Sequence, residues 1–495
     1  MKKTIKKLSV LLLLAGWIAT GIAQVSPTNA WADINSSIDQ YMKEWNIPGL
    51  AVVVIKNDSV LLKTTRGYAN IDTKTTITSK TLFSIGSCTK GFTSTALLLL
   101  QDENKIDLET PVSQYFPQLS LSDTQLQKQI TLKDMLSHRT GFERGDYIWY
   151  GAGFSRPELL ERIKYLKPIA PLRNNFIYNN LMYTVAGNVV EMVSGKKYED
   201  FIHDRLFAPL GMNRSFYGTP ATEKDFALPY QMLNNSLAQM PIPSLKGVEP
   251  AGGIWTDIND MSLWLWFILN GGIKDSLQLL SKKSARMLQT PIIFTGGGMR
   301  ADETEYKSYG LGFGFTAYKG NRVMYHTGVS GGYIAHIAIM PEVNIGVVVL
   351  ANTETYTNGF INNLFDRALG ENQTDWNTDV LEIVQHQRNE DNKERAEALA
   401  LVNNRTNIDH AEMYSGKFEN PACRPIEIDI KDNNAFLVYN QKRYPMVQEK
   451  DNNFWVYDDM FGKMQVTFSG LKENSFTGLR FSIMGEQLLF NKINE

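Results

Sequence analysis

The sequence has 495 residues, of which 43% are hydrophobic and 21% charged, and a net charge of −2. That length exceeds one compact core and predicts two or three domains. The near-neutral charge gives no ground for nucleic-acid or anionic-membrane binding, and only two cysteines, Cys88 and Cys423, exclude a disulfide scaffold.

Lys2, Lys3, Lys6 and Lys7 precede an apolar stretch from Leu8 to about Ala23, followed by small residues. This pattern predicts a secretory signal peptide over residues 1–23, with cleavage after Gly21-Ile22-Ala23 and a second A-x-A sequence at Ala30-Trp31-Ala32. The run is shorter than the roughly 20 residues that a membrane span needs. The expectation is therefore an exported protein, periplasmic or secreted, with no membrane span after cleavage. Ile34, Ile38, Met42 and Trp45 recur at helical spacing and predict an amphipathic helix ending near Pro48. Leu50–Ile55 and Val60–Tyr68 read as a β-hairpin across Lys56-Asn57-Asp58. Thr93–Gln101 is almost wholly apolar, as in a helix buried at the centre of a domain.

From about 105 to 300 the pattern is helical with many loops. It includes a short helix over Ile130–Ser137 and a longer one over Asn180–Ser194, closed at Gly195. Strand character returns at Arg322–Tyr325, Tyr333–Met340 and Ile345–Ala351, followed by a helix over Asn358–Leu369. β-rich ends enclosing a helical middle predict an α+β domain, with its ends meeting in one antiparallel sheet. Residues 371–407 read as a charged, solvated linking helix. Beyond 408 short alternating segments (Ile426–Ile430, Met464–Phe468, Leu479–Ile483) separated by turns predict a small β-barrel or sandwich over 408–495.

The most informative motif is Phe83-Ser-Ile-Gly-Ser-Cys-Thr-Lys90. A lysine three residues after a serine shares its helix face, and if neutral it can draw the hydroxyl proton away. The spacing alone is weak, because Ser194/Lys197 and Ser469/Lys472 repeat it. A working nucleophile also needs a second proton-transfer group and donors for an oxyanion. Tyr178-Asn179-Asn180 offers a phenol and an amide, although Tyr68/Asn70 and Tyr356/Asn358 share that spacing. His326-Thr-Gly328 is the one H-x-G in the chain, and a glycine-led run to Gly332 follows it.

In order and surroundings these residues resemble the serine β-lactamase/penicillin-binding-protein superfamily, specifically its class C-like branch of β-lactamases, D-aminopeptidases, D,D-peptidases and carboxylesterases. Leu132-Lys-Asp-Met-Leu-Ser-His-Arg-Thr-Gly141, Pro209-Leu-Gly-Met212, Pro250-Ala-Gly-Gly-Ile-Trp-Thr256, Tyr309-Gly-Leu-Gly-Phe313 and the run His326–Asn352 look like its recurring blocks. The resemblance covers residues 33–370, and the C-terminal β-region looks like an appended lipocalin-like domain. It implies Ser87 as acylated nucleophile, Lys90 as its proton partner and Tyr178 as general acid/base, with the acylation base left open between Lys90 and Tyr178. It further implies Asn180, His326 and Gly328 at the substrate, and an oxyanion hole from the backbone N–H groups of Ser87 and Val329. His326 stands where class C β-lactamases keep a lysine. A mostly neutral histidine disfavours efficient β-lactamase activity and shifts weight to peptidase, amidase or esterase chemistry.

Rival readings carry less. Gly328-Val-Ser-Gly-Gly332 has the G-x-S-x-G form, but the strand-like Tyr333–Ile339 follows Ser330 where a nucleophile elbow needs a helix. Cys88 reads as a packing residue, and His138 as part of the turn after a helix. Gly86–Gly91 fails as a phosphate loop because its lysine precedes the last glycine. Tyr147, Trp149 and Tyr150 sit in a loop as pocket-lining or packing residues. No H-E-x-x-H or paired Cys/His pattern occurs, so neither metal nor cofactor is expected. The expected partners are a small-molecule or peptide substrate and cell-wall peptide. The alternatives to a hydrolase of D-amino-acid peptides, amides or small esters are a penicillin-binding protein with little turnover and a true β-lactamase.

Overall fold

The computed structural model describes residues 31–220, 222–299 and 304–493; the expected signal peptide lies outside the described residues. Helix α1 (Ile34–Trp45) leads into a hairpin of β1 (Gly49–Lys56) and β2 (Ser59–Asn70), with a short edge strand β3 (Thr75–Thr76). A three-residue 3₁₀ turn, Gly86–Cys88, opens helix α2 (Thr89–Asp102), and α3 (Asn180–Ser194) crosses the helical middle. Strands β4 (Ile293–Met299), β5 (Thr304–Tyr309), β6 (Gly314–Tyr318), β7 (Asn321–Val329), β8 (Ile334–Met340) and β9 (Ile345–Ala351) follow. The sheet runs β4-β5-β6-β7-β8-β9-β1-β2-β3, with antiparallel pairing throughout. The two ends of the segment do meet in one sheet, through the β1–β9 pairing from Leu50–Ala351 to Lys56–Ile345.

Period-two alternation divides the strands between two cores. Ala51, Val53 and Ile55 face the helical middle, together with Val348 and Leu350. Leu50, Val52, Val54, Val347 and Val349 face α1 and helix α4 (Asn358–Leu369). Strands covered on both faces read as continuous apolar runs, as β1 and β9 do. In α2 every residue from Thr89 to Leu100 is buried, so this helix is the centre of the domain.

Strands β4, β5 and β6 are absent from the sequence reading, which extended the helical middle to about 300. Gly296-Gly-Gly298 and the polar Thr304–Ser308 break the alternation that marks a half-buried strand. Downstream, helix α5 (Thr378–Asn403) is largely exposed and buries only Ala398 and Val402. They pack on Trp455 of the C-terminal region.

That region is a nine-stranded antiparallel sheet between Gly416 and Lys492, in which the outer strands Lys442–Pro445 and Val447–Lys450 adjoin in sequence, giving a nearly closed barrel. Its interior is filled with side chains: the Tyr414 ring stacks on Phe476 at 4.9–5.1 Å from three phenylalanine centroids, Phe454, Phe468 and Phe476. Among the described residues no helix is long and apolar enough to cross a membrane.

Candidate active site

Ser87 sits in the tight turn that enters α2, pressed against the end of β7. Two glycines permit the approach. A Cβ on Gly328 would lie 1.8 Å from the carbonyl oxygen of Ile85 and 2.9 Å from the Ser87 nitrogen. A Cβ on Gly86, whose φ is +45°, would lie 2.9–3.0 Å from the backbone oxygen and nitrogen of Val329.

The strand edge beside the serine is open. Strand β6 pairs with β7 only as far as Gly314–Tyr325, so residues 326–329 run past its end. Ser330 and Tyr333 exchange both N–H···O bonds, at 3.1 and 3.2 Å. The adjoining pair Val329–Ile334 is therefore a non-bonded one, and the Val329 N–H points to the free edge, toward the Ser87 turn. The N–H groups of Ser87 and Val329 thus border one space.

The side chains of Ser87, Lys90, Tyr178 and Asn180 converge. Lys90, one turn into the helix, places Nζ within hydrogen-bond distance of Ser87 Oγ at 3.0 Å and donates to Asn180 Oδ1 at 2.8 Å and to the Ala251 carbonyl at 2.8 Å. Tyr178 OH donates to Ser87 Oγ at 2.8 Å. Lys90 is fully buried, and loss of hydration holds its ammonium well below the usual lysine range, with the Asp146 carboxylate opposing. The two carbonyl-type oxygens occupy two N–H bonds, so a neutral amine presents its lone pair to the Ser87 hydroxyl. Burial likewise raises the Tyr178 phenol, keeping it a proton donor.

His326 and Asn180 are less accessible than a substrate-binding role suggests. The His326 ring is 6% exposed, and its nitrogens meet the Thr327 carbonyl at 2.7 Å and Tyr309 OH at 2.9 Å. Nδ1 must donate to the carbonyl, which leaves Nε2 to accept the phenol proton. Burial and the neighbouring Lys90 push this histidine down to about 3, so it is neutral. The Asn180 amide is engaged at both ends, by Lys90 and by Asp146, which accepts from Nδ2 at 3.2 Å.

Three supports of the site were not foreseen as such, although His138 does lie in the turn after a helix as the sequence indicated. His138 brackets Tyr178: its carbonyl accepts from the Ile177 N–H at 2.8 Å, its Nδ1 from the Asn179 N–H at 3.1 Å, and its ring lies 4.2 Å from the Tyr178 ring. Tyr309 holds His326. Asp146, in the short helix Asp146–Trp149, gathers Asn180, Arg144 and Trp149. The Thr131–Asp134 capping box, which sets the helix Leu132–Leu136 before His138, was the available signal for the first. Of the decoys, Ser330 lies in a strand-to-strand turn with its hydroxyl buried and unbonded among the described residues. The Cys88 thiol is buried against the His326 carbonyl at 3.3 Å and is pushed up to about 12. Tyr147 is buried, Trp149 Nε1 donates to Asp146 at 2.9 Å, and the Tyr150 ring meets Phe461 of the barrel at 5.6 Å. Among the described residues no group of three His, Cys, Asp or Glu is arranged to hold a metal.

A half-buried serine in the turn that opens a central helix, with a buried lysine one turn on and an open antiparallel edge beside it, defines the class: the serine β-lactamase/penicillin-binding-protein superfamily. The sequence matches the Beta-lactamase family over residues 34–371, and the chain belongs to that family of hydrolases. It is 28% identical over 375 residues to unguisins hydrolase ungD′ of Aspergillus campestris (strain IBT 28561), spanning 70% of this chain and 67% of the relative. Protein flp of Staphylococcus aureus (strain NCTC 8325 / PS 47) is 26% identical over 325 residues, 64% of this chain and 62% of its own length. Among solved structures, the octameric penicillin-binding protein homologue from Pyrococcus abyssi has a TM-score of 0.62 at 21% identity. It matches 93% of this chain and 99% of that one. That likeness concerns the fold, and it extends past the family match into the barrel.

Proposed function

We propose that the chain is an exported serine hydrolase that works through an acyl-enzyme on D-amino-acid peptides or amides, or on small esters. The observation that carries this reading is Ser87 Oγ held between Lys90 Nζ at 3.0 Å and Tyr178 OH at 2.8 Å, beside an open strand edge. Neutral Lys90 takes the Ser87 proton as Oγ attacks the carbonyl carbon, and the N–H groups of Ser87 and Val329 face the developing oxyanion. Tyr178 passes its phenol proton to the leaving group and recovers one from Lys90, which returns the amine to its neutral form. Water then enters with the roles reversed and releases the acid. A neutral, enclosed His326 in place of a lysine provides no fixed charge for a substrate carboxylate, which supports uncharged amides and esters over β-lactams. The relatives named unguisins hydrolases support a hydrolytic outcome. The barrel, expected as lipocalin-like, has a core packed with rings, which supports a structural part for it.

The test is labelling with a fluorophosphonate and peptide mapping, followed by turnover on D-alanyl anilides, p-nitrophenyl esters and nitrocefin. Label at Ser87, its loss in Ser87→Ala, and many turnovers on an anilide or ester are expected. Tyr178→Phe should slow turnover about 10²-fold. Label on Ser330 or Cys88 refutes the nucleophile. One equivalent of product without further turnover refutes the hydrolase and favours an acylating penicillin-binding protein.

A further inference from the structure

Asp146 accepts four N–H bonds. Oδ1 takes Asn180 Nδ2 at 3.2 Å and Trp149 Nε1 at 2.9 Å; Oδ2 takes Arg144 Nε at 2.9 Å and a second Arg144 nitrogen at 2.6 Å. The Asn180 amide has two orientations of equal shape. Asp146 is acceptor-only, so the amide must turn its NH₂ toward Asp146 and its oxygen toward Lys90. Reversed, it would set an NH₂ against an amine and a carbonyl against a carboxylate.

From this geometry we propose that Asp146 is a positioning residue, which fixes the Asn180 amide and thereby leaves the third valence of Lys90 free to take the Ser87 proton. The inference rests on the acyl-enzyme reading above. With Asn180 Oδ1 and the Ala251 carbonyl each holding one N–H, the lone pair of the neutral amine is aimed at Ser87. If the amide turned over, an N–H of Lys90 would lose its acceptor and the amine would rotate off the serine. Asp146 also bears on the charge of Lys90, since its carboxylate favours the ammonium while Arg144 and burial oppose it. Of the other groups around the amine, Cys88 also favours the ammonium, less than Asp146 does, and it stays in place in both Asp146 variants below. Cys88 on α2 is a neutral thiol, His138 and His326 are neutral, and the Tyr178 and Tyr183 phenols, whose rings lie 4.7 and 5.2 Å from Nζ, keep their protons.

The experiment follows the rate of Ser87 labelling by a fluorophosphonate against pH, in the full chain and in Asp146→Ala and Asp146→Asn. In the wild type the rate rises with pH as Lys90 loses its proton. Asp146→Ala should lower the plateau about 10²-fold, the cost of roughly 1 Å of misplacement. Asp146→Asn keeps an accepting oxygen and should restore most of the plateau. Both variants lack the carboxylate, so both should move the acidic limb down by roughly one pH unit. A merely structural role would leave the limb in place. An unmoved limb in both variants, a wild-type plateau in Asp146→Ala, or no recovery in Asp146→Asn overturns the proposal. Asp146→Asn decides the limb by itself where Asp146→Ala does not fold. Absence of Ser87 label in the wild type instead overturns the acyl-enzyme reading, and this inference with it.

Discussion

Gly328→Ala isolates the packing of the strand edge on the nucleophile turn, because it alters no side chain that moves a proton. The φ of Gly328 lies outside the left-handed region, so alanine meets no conformational strain and the effect is purely steric. Its methyl would stand 1.8 Å from the Ile85 carbonyl oxygen, whereas ordinary contact begins at 3.4 Å. Both partners are backbone, and β7 must therefore recede from the turn by about 1.6 Å, the difference between those two distances. An N–H···O bond near 2.9 Å would stretch past 4 Å, which is no longer a hydrogen bond. Losing one oxyanion donor costs about 10²–10³-fold in kcat, or roughly 3–4 kcal/mol. The forced separation costs about 1–3 kcal/mol of stability. Steady-state kinetics on the best anilide or ester, with a thermal melt of the same sample, measure both. The loss should fall on kcat with KM little changed, since the donors act on the transition state. A folded Gly328→Ala enzyme with wild-type kcat would refute the oxyanion assignment and the reason given for this glycine.

Two further outcomes follow from burial and from the domain contact. His138, His326 and His336 are enclosed and neutral: burial pushes the last two down to about 3 and holds His138 well below the usual histidine range. Unfolded histidines bind protons near pH 6.5, so the unfolded chain takes up more protons below that pH and stability falls as pH falls, by about 1.4 kcal/mol per unit for each. Denaturant unfolding at pH 7.5 and 5 should show a loss on the order of 6 kcal/mol, cut by about a third in His336→Gln; a pH-independent midpoint contradicts this. The barrel holds the loop that carries Asp146: Arg424 Nε donates to the Ala152 carbonyl at 3.0 Å and Asn440 Nδ2 to the Tyr150 carbonyl at 3.1 Å. Removing both in an Arg424→Ala/Asn440→Ala variant forfeits about 1 kcal/mol per bond. It should lower kcat while Ser87 stays labelled, and an unchanged kcat would show that the loop keeps its place without the barrel.

Much of the molecule was legible in the chain because its signals are local. Apolar runs marked β1, β8, β9 and α2, since strands and helices buried on all sides need no polar face. Gly195 marked the end of α3 by taking the left-handed turn; its start is capped by Asn179, which accepts the Met182 N–H. Strands β4 and β5 were illegible because glycine-rich and polar strands carry no periodicity, and β6 is only five residues long.

The site divides in the same way. Ser87 and Lys90 share a helix face three residues apart, so sequence alone determines their meeting. Tyr178 and Asn180 flank the start of α3 and Gly328 lies near the end of β7, and it was the resemblance to a known family that associated them. Only the tertiary structure decided what each polar atom does. Asn180 turns its oxygen to Lys90 because Asp146, 34 residues upstream, accepts the other end. His326 is closed off because Tyr309 takes one nitrogen and its own strand the other. Hydrogen-bond partners and desolvation belong to the packed arrangement. They set protonation and direction, which no spacing in a linear sequence contains.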